Sequence, residues 1–502
     1  MTQTIYLRQL QPQDVTDSYV EWLNDSTVNQ YLEARHSAHT FESVIKYVRT
    51  LNQPESDSVL LGIFDEASNL HIGNVKIGPI NVHHRHADLG IIIGSPKVWG
   101  KGIGSQAVQL ATEYSATVLG LRTLRAGCYG SNLGSFNLFK KLEWSYVGAI
   151  PDYWIDNNGT PQQEHLFCKD LTGYSSIQAE LKYLLIGSGS LLSQYAEYLA
   201  SHSCKVSIIT APRQKESLSL NPIFESLIST YISENVNEPS AEIESILAEA
   251  NVGICFGPPW IFSQRIIDLV GANFFNYNGI PIPNYIGGAH YSWQILNGNR
   301  EGGCFLQRIT PEIDRGEVLL SSKYIIPDDI QTPADYEHQN IKHGFQLLKN
   351  ITYMLATCGK FISTPVDWSS KSYYPRLSTL KNGWINWSWS CDEIARFCCA
   401  FSDPYTGAQT TIRDSKVALT LVATYPNPDI HPFCAGIVVS RSLRNGTFKV
   451  AANGGILEFS LNETSEIGLS SLNVGDRLIT SSDILEMSMK RASYNAFGLV
   501  DN

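Results

Sequence analysis

The chain is poor in charge, poor in sulfur and free of long apolar runs. Only 17% of its 502 residues are charged, and 48 acids outnumber 37 Lys and Arg for a net charge of −11. A surface that tracks nucleic-acid phosphates needs the opposite balance. DNA and RNA are therefore excluded as partners, and only a local basic pocket for a small anion stays open. The 10 cysteines form no Cys-x-x-Cys pair, and Cys398 and Cys399 are adjacent. That spacing excludes a disulfide framework and predicts reduced, mostly buried thiols. No apolar stretch reaches the ~18 residues needed to cross a bilayer. The opening Met1-Thr2-Gln3-Thr4-Ile5-Tyr6-Leu7-Arg8 lacks a basic and then apolar signal. These absences together predict a cytoplasmic protein with no membrane partner. His83, His84 and His86 have no Cys or carboxylate at tetrahedral-site spacing, so they predict a polar loop or a substrate-facing surface and no metal.

What is present is a 43% hydrophobic chain long enough for more than one core. Residues 60–64, 71–77 and 87–93 predict strands, and 105–120 has the spacing of an amphipathic helix. Residues 172–180 are small and polar, a linker. Residues 181–186 then form an apolar run ending in Gly187-Ser188-Gly189, followed by a helical segment and a strand over 205–210. That is a βαβ opening, with a ligand crevice expected at the carboxyl ends of its strands. Leu192 stands where a third glycine would complete a dinucleotide fingerprint, which argues against a nicotinamide cofactor. Residues 333–360 predict a helix. Beyond about residue 384, short runs at 416–423, 437–439 and 448–451 are punctuated by Asn445-Gly446 and Asn453-Gly454, which are hairpin signals.

The sharpest local pattern is Ile91-Ile92-Ile93-Gly94-Ser95-Pro96-Lys97-Val98-Trp99-Gly100-Lys101-Gly102-Ile103-Gly104-Ser105. A strand leads through alternating glycines into a helix. Glycines admit a ligand close to the backbone, and the uncapped amides of the helix start suit an anion such as a pyrophosphate. A tight turn with no ligand is the plain alternative. Further on, Ala126-Gly127-Cys128-Tyr129 ends a strand before Asn132-Leu133-Gly134-Ser135 opens a helix.

This constellation resembles the GNAT family of acetyl-CoA-dependent N-acetyltransferases over residues 1–172. The resemblance implies that Trp99, Gly100, Lys101, Gly102, Gly104 and Ser105 form the coenzyme A pyrophosphate loop. It also implies that the backbone at Ile91 and Ile93 meets the pantetheine arm, and that Asn132 and Ser135 line the coenzyme near its thioester. The family's usual tyrosine acid is replaced by Phe139, leaving Tyr129 as a candidate substitute. Asp88 is the candidate base, with Glu33 second. Trp22, Asn24, Tyr31, Glu33 and Arg35 resemble the acceptor-binding segment of members that acetylate nucleotide-linked amino sugars.

A second resemblance begins at Phe275-Asn276-Tyr277-Asn278 and continues through His290-Tyr291 to Pro311-Glu312-Ile313-Asp314. With Phe256-Gly257-Pro258-Pro259-Trp260 it is similar to the formyl-tetrahydrofolate-dependent formyltransferases. The expected architecture is α/β: a GNAT mixed α/β domain (1–172), a Rossmann-like formyltransferase domain (181–380), and a small C-terminal β-barrel, β-rich and OB-like (381–502). The resemblance gives Asn276 and Asp314 catalytic positions and places Pro258 and Trp260 at the 10-formyltetrahydrofolate site. The family histidine, however, is replaced by Asn278. An amide can donate a hydrogen bond to an oxyanion but cannot shuttle protons near neutrality. Three readings stay open: His290 restores the titrating group, the domain transfers slowly through Asn276, Asn278 and Asp314, or it only binds. The fusion predicts a two-headed N-acyltransferase acting on a dTDP- or UDP-linked amino-deoxy sugar for a surface glycan, in a possible homodimer. A formyltransferase with an accessory front domain and a non-catalytic ligand-binding protein are the alternatives.

Overall fold

The computed structural model describes residues 4–53, 56–172, 174, 181–311, 316–357, 366–495 and 498–500. They pack as two compact units: residues 1–277, 306–324 and 343–364 in one, and 278–305, 325–342 and 365–502 in the other.

The first unit opens with β1 (Ile5–Gln9), α1 (Asp17–Asn24), α2 (Ser26–Asn29), α3 (Phe41–Leu51), β2 (Val59–Asp65), β3 (His71–Ile77) and β4 (His86–Ile93). Then come α4 (Ile103–Thr117), β5 (Thr123–Tyr129), α5 (Leu133–Lys141), β6 (Ser145–Ile155) and β7 (Pro161–Asp170). The strands make one seven-stranded sheet in the order β1-β2-β3-β4-β5-β7-β6. Alternation sends Leu61, Ile63, Val75, Ile77, Ala87, Leu89, Leu124 and Ala126 to one face, where they bury against Ile103, Ala107, Val108 and Ala111 of α4. Tyr6, Leu10, Leu60 and Phe64 point the other way, under Tyr19 of α1 and Val44 and Val48 of α3. The strands expected at 60–64, 71–77 and 87–93 are all present. The helix expected over 105–120 runs instead over 103–117, with Gly102 as its N-cap.

The second sheet is built from β8 (Lys182–Gly187), α6 (Ser190–Ser201), β9 (Lys205–Thr210), β10 (Ile228–Ile232), α7 (Ala241–Glu249), β11 (Val252–Phe256), α8 (Gln264–Val270) and β12 (Phe274–Asn278). These strands run parallel in the order β10-β9-β8-β11-β12, with β14 (Glu301–Arg308) and β15 (Val318–Ile325) added beyond β12. Leu184, Ile186, Ile209, Cys255 and Phe274 bury against Ile243, Leu247 and Ile266 of α7 and α8. The βαβ expectation holds. Between β12 and β14 come β13 (Ile286–Gly287), paired with β16 (Tyr373–Tyr374), and α9 (His290–Leu296). The long helix α10 (Pro333–Thr357) follows β15.

The C-terminal sheet consists of β17 (Ala408–Ile412), β18 (Ser415–Pro426), β19 (Val438–Ser442), β20 (Thr447–Ala452) and β21 (Gly455–Leu461), antiparallel in the order β17-β18-β21-β20-β19. Gly446 and Gly454, both at positive φ, make the two hairpin turns expected from Asn-Gly. The segment from Gly475 to Ile479 closes the sheet. It bonds Val438 at one edge (Val438 N to Asp476 O, 2.8 Å) and Thr411 at the other (Thr411 N to Ile479 O, 3.0 Å). No described helix is long and apolar enough to cross a membrane.

Candidate functional site

The turn into α4 is shaped for close approach by a ligand. Gly100 and Gly102 sit at φ of 74° and 86°, a left-handed conformation that only glycine adopts cheaply, and a Cβ at either would meet nothing within 4 Å. Gly102 is the N-cap and offers no side-chain acceptor. The first intrahelical bond to a following amide runs from Gln106 N to Gly102 O, 3.1 Å. The amides of Ile103, Gly104 and Ser105 therefore lie beyond the reach of the helix's own carbonyls, at the positive end of a 15-residue dipole. Exposed Lys101 adds charge at the rim. Trp99 donates its indole N–H to the Ile93 carbonyl at 3.0 Å and so ties the loop to β4.

Beside this turn the sheet splays. β4 pairs with β5 only over His86, Ala87 and Asp88, opposite Thr123, Leu124 and Arg125. From Leu89 to Ile93 β4 keeps its partner β3 on one edge but has no paired strand on the other among the described residues. An unpaired strand edge presents backbone donors and acceptors to an extended ligand. At the apex of the splay, Asp88 accepts from Arg125 Nε at 2.8 Å and from Nη2 at 2.6 Å, so both its oxygens are engaged.

The register places a second carboxylate on that face. Glu164 of β7 lies opposite Tyr129 of β5. Its Oε1 sits where a Cβ on Gly127 would be, 2.2 Å away, so glycine at 127 makes room for it. Glu164 is only 8% exposed. Burial raises its proton affinity above the ordinary carboxylate range, Arg125 draws it back, and Asp88 raises it again. The Trp154 indole N–H beside it is buried without a partner at hydrogen-bond geometry. Tyr129 stacks on Trp154 (5.2 Å between rings, 20°) and receives Nη1 of Arg35 on its hydroxyl oxygen at 2.9 Å. Burial raises the Tyr129 phenol, and Arg35 opposes the rise.

Two family models match the chain: the acetyltransferase (GNAT) domain over residues 4–145 and the formyl transferase C-terminal domain over residues 378–465. The chain thus carries a GNAT acetyltransferase domain at its front and a formyl transferase C-terminal domain near its end. It is therefore an N-acyltransferase. Among solved structures it is similar to the spermidine N-acetyltransferase of Vibrio cholerae in complex with CoA and spermine, at 22% identity and a TM-score of 0.31, over 34% of this chain and 97% of that one. It is also similar to WlaRD, a sugar 3N-formyl transferase solved in the presence of dTDP and 5-N-formyl-THF. That match has 16% identity and a TM-score of 0.43, over 57% of this chain and 98% of that one.

Within the acetyltransferase, the remaining candidates divide by what their side chains already hold. Asn132 caps α5, accepting from Ser135 N at 3.0 Å. Trp22 lies flat over Gly94, where any Cβ would strike its ring, and packs on His71. The Asn24 amide is spent on the loop at His39, bonding both its carbonyl (2.9 Å) and its N–H (3.0 Å). Tyr31 reaches the Ser131 carbonyl at 3.3 Å and tilts against Tyr129. Arg35 also binds the Gln30 carbonyl at 2.8 Å and the Ile155 carbonyl at 2.7 Å, leaving its buried Nε unpartnered among the described residues. Glu33 is exposed, and Phe139 is buried in the core at 2% exposure. Tyr31, Arg35 and Tyr129 thus meet, whereas Asn24 holds a loop.

In the formyltransferase's share of the first unit, Asn276 stands near the end of β12, and its buried Oδ1 has no partner among the described residues. Nearby strand ends carry Gly187, whose Cβ would lie 2.1 Å from the Phe256 carbonyl, and Gly257, which opens into free space. Half-buried Pro258 follows, and Trp260 donates to the Glu234 carbonyl at 3.0 Å. In the second unit, half-buried Asn278 ends β12, and His290 is the first residue of α9 with its ring against Tyr291 at 4.2 Å. Burial pulls the His290 pKa down to about 4, so its imidazole is neutral at physiological pH. Asp314 lies outside the described residues.

Proposed function

We propose that the protein is an acetyl-CoA-dependent N-acetyltransferase acting on the amine of a dTDP- or UDP-linked amino-deoxy sugar in the cytoplasm. In this reading the formyltransferase portion is a second, weaker head. The observation that carries it is the coincidence of three features of the front domain: the glycine cradle at α4, the unpaired edge of β4, and the buried carboxyl of Glu164 on the face next to them. Residues 99–105 and the amides of Ile103 and Gly104 would hold the coenzyme's diphosphate, and the open edge at Ile91 and Ile93 its pantetheine arm. When bound, acetyl-CoA supplies the acyl thioester.

Glu164 is the proton acceptor in this reading. Asp88 has both oxygens on Arg125, and Glu33 is exposed. Glu164 instead sits buried with its proton affinity raised, which is where a general base for an amine should be poised. Arg125 and Asp88 set that affinity from opposite sides. Tyr129 takes Arg35 on its oxygen and so keeps its own proton available to a leaving group. The wall of Tyr31, Tyr129, Trp154 and Arg35 suits a flat base or sugar face together with an anionic linkage. For the rear head, the Asn276 Oδ1, unpartnered among the described residues, fits a donor on a formyl-folate ligand, while burial that lowers the His290 pKa makes its imidazole a weaker proton acceptor than an ordinary histidine.

The test offers acetyl-CoA and formyl-tetrahydrofolate in turn with a panel of nucleotide amino sugars. Acetyl transfer with little or no formyl transfer is expected; formyl transfer alone would reverse the ranking, and neither would leave a binding protein. In the acetyl assay, Glu164→Gln should lower kcat/KM by about 10²-fold or more and abolish its acid limb. An unchanged pH profile would remove Glu164 from the chemistry.

A further inference from the structure

Helix α10 is buried on nearly every side through its C-terminal half. Leu347, Leu348, Asn350, Ile351, Thr352, Tyr353 and Met354 are each at most 4% exposed. A helix covered all round lies between two partners. On one side α10 packs into the parallel sheet's own layers: Thr352 Oγ1 bonds the Tyr195 hydroxyl at 2.7 Å. Gly344 lies so close to Tyr277 that a Cβ would be 2.1 Å from its hydroxyl. The opposite side carries Gln346, Asn350 and Tyr353, spaced at i, i+4 and i+7.

That side reaches the acetyltransferase. Asn350 Oδ1 accepts the Tyr114 hydroxyl at 2.7 Å, its Nδ2 donates to Gln9 Oε1 at 2.9 Å, and Gln346 Nε2 donates to the Tyr114 oxygen at 3.3 Å. Tyr353 donates to the Leu110 carbonyl at 2.8 Å, and its ring meets Tyr114 edge-on at 5.1 Å. It belongs to the same apolar cluster as Ile103, Ala107 and Ala111. A further bond links His202 Nε2, just after α6, to the Thr117 carbonyl in the last turn of α4 at 3.1 Å. Tyr114 is 1% exposed, so its buried hydroxyl needs a protein partner, and Asn350 of α10 supplies the acceptor.

We infer that the C-terminal half of α10 is a structural component of the acetyltransferase, a built-in docking surface that braces α4, the helix whose first turn forms the coenzyme cradle. Leu110, Tyr114 and Thr117 fix the rear of α4 while its first turn stays open. Order at one end of a single helix therefore stabilises the other. The formyltransferase body thus has a role that does not require Asn278 to be catalytic. Only the coenzyme part of the test below depends on the proposed acetyltransferase reading.

Hydrogen–deuterium exchange on the full chain tests this. Asn350→Ala removes the acceptor of Tyr114 and the donor to Gln9 but leaves the Thr352 side intact. The amides of residues 103–117 should then exchange about tenfold faster, with β8, β9 and β11 unchanged. Tyr353→Phe, which deletes one hydroxyl, should give the same pattern more weakly and serves if the first variant does not fold. Faster exchange confined to α10, with α4 unmoved, overturns the inference. In the wild type, coenzyme A alone should slow exchange in both α4 and residues 343–355; slowing that stops at α4 counts against it. If coenzyme A slows nothing, the cradle reading fails, and the ligand-free comparison still decides the brace.

Discussion

Replacing Gly102 by alanine should separate the cost of folding the cradle from the cost of using it. Gly102 has a φ of 86° and open space where a Cβ would project. Its replacement therefore meets no steric clash in the free protein, only the left-handed penalty of about 1–2 kcal/mol. A change of that size lowers the melting temperature of a domain this large by a few degrees. Gly120, beyond the other end of α4, is the matched control: its φ is 64° and its Cβ position is likewise empty. Gly120→Ala should cost the same stability while lying a helix length from the cradle. Coenzyme binding should respond differently. If a methyl group at 102 pushes the diphosphate off one backbone amide, the lost charge-assisted bond is worth about 1.5–3 kcal/mol. That corresponds to roughly ten- to a hundredfold in Kd at 1.4 kcal/mol per decade. Thermal denaturation and calorimetry with coenzyme A on both variants give the readout. Matched losses of stability with a weakened Kd at 102 only is the expected result. Equal affinities for the two variants would show that the glycine serves the turn alone.

Three further outcomes follow from the geometry. Gly127→Ala should displace the Glu164 carboxylate, since the new Cβ would lie 2.2 Å from Oε1, and steady-state kinetics should show acetyl transfer falling with the acid limb shifted. Asn278→His should raise formyl transfer and give it a pH dependence near the ordinary imidazole range of about 6.5; no gain would mean that the lost histidine is not what limits this head. His290 is held at about 4 by burial, below its unfolded value, so it contributes stability present above about pH 6.5 and lost as pH falls toward 4. His290→Gln should flatten that acid loss in a denaturation series, and an unchanged slope would place His290 in contact with water.

The parts of the site that lie close together along the chain are legible in the amino-acid sequence. Gly100 and Gly102 take left-handed angles because the alternating glycines at 100, 102 and 104 leave no side chain to forbid them, and α4 begins where that run ends. Adjacent Asn-Gly pairs likewise locate the turns of the C-terminal sheet. Pairings across long separations carry no such mark. By residue type alone Asp88 is available as a base, but the parallel register sets Arg125 beside it. Glu164 is one more strand acid among Gln162, Gln163 and His165 until pairing puts it opposite Tyr129. The signal for Glu164 is indirect: a glycine in the middle of β5, where a strand ordinarily prefers a side chain. Asn24 errs the other way, since an asparagine in a matching segment gives no hint that the loop at His39 consumes its amide.

The same reasoning bears on whether the two heads are independent. Composition and the polar stretch at 172–180 suggest separate modules joined by a linker. Yet Tyr353 lies in the apolar cluster of the first sheet and donates to Leu110, 243 residues earlier. A flexible tether between autonomous domains leaves each with a polar or closed outer face, whereas buried Tyr114 and Asn350 join half-buried Gln9 in a three-way hydrogen-bond junction that neither portion completes alone. Buried polar groups are expensive unless every member is satisfied. Such a junction favours one docked arrangement over many loose ones. Any kinetic comparison of acetyl and formyl transfer should therefore treat α10 as shared structure, since a variant that loosens it is expected to disturb the acetyltransferase first.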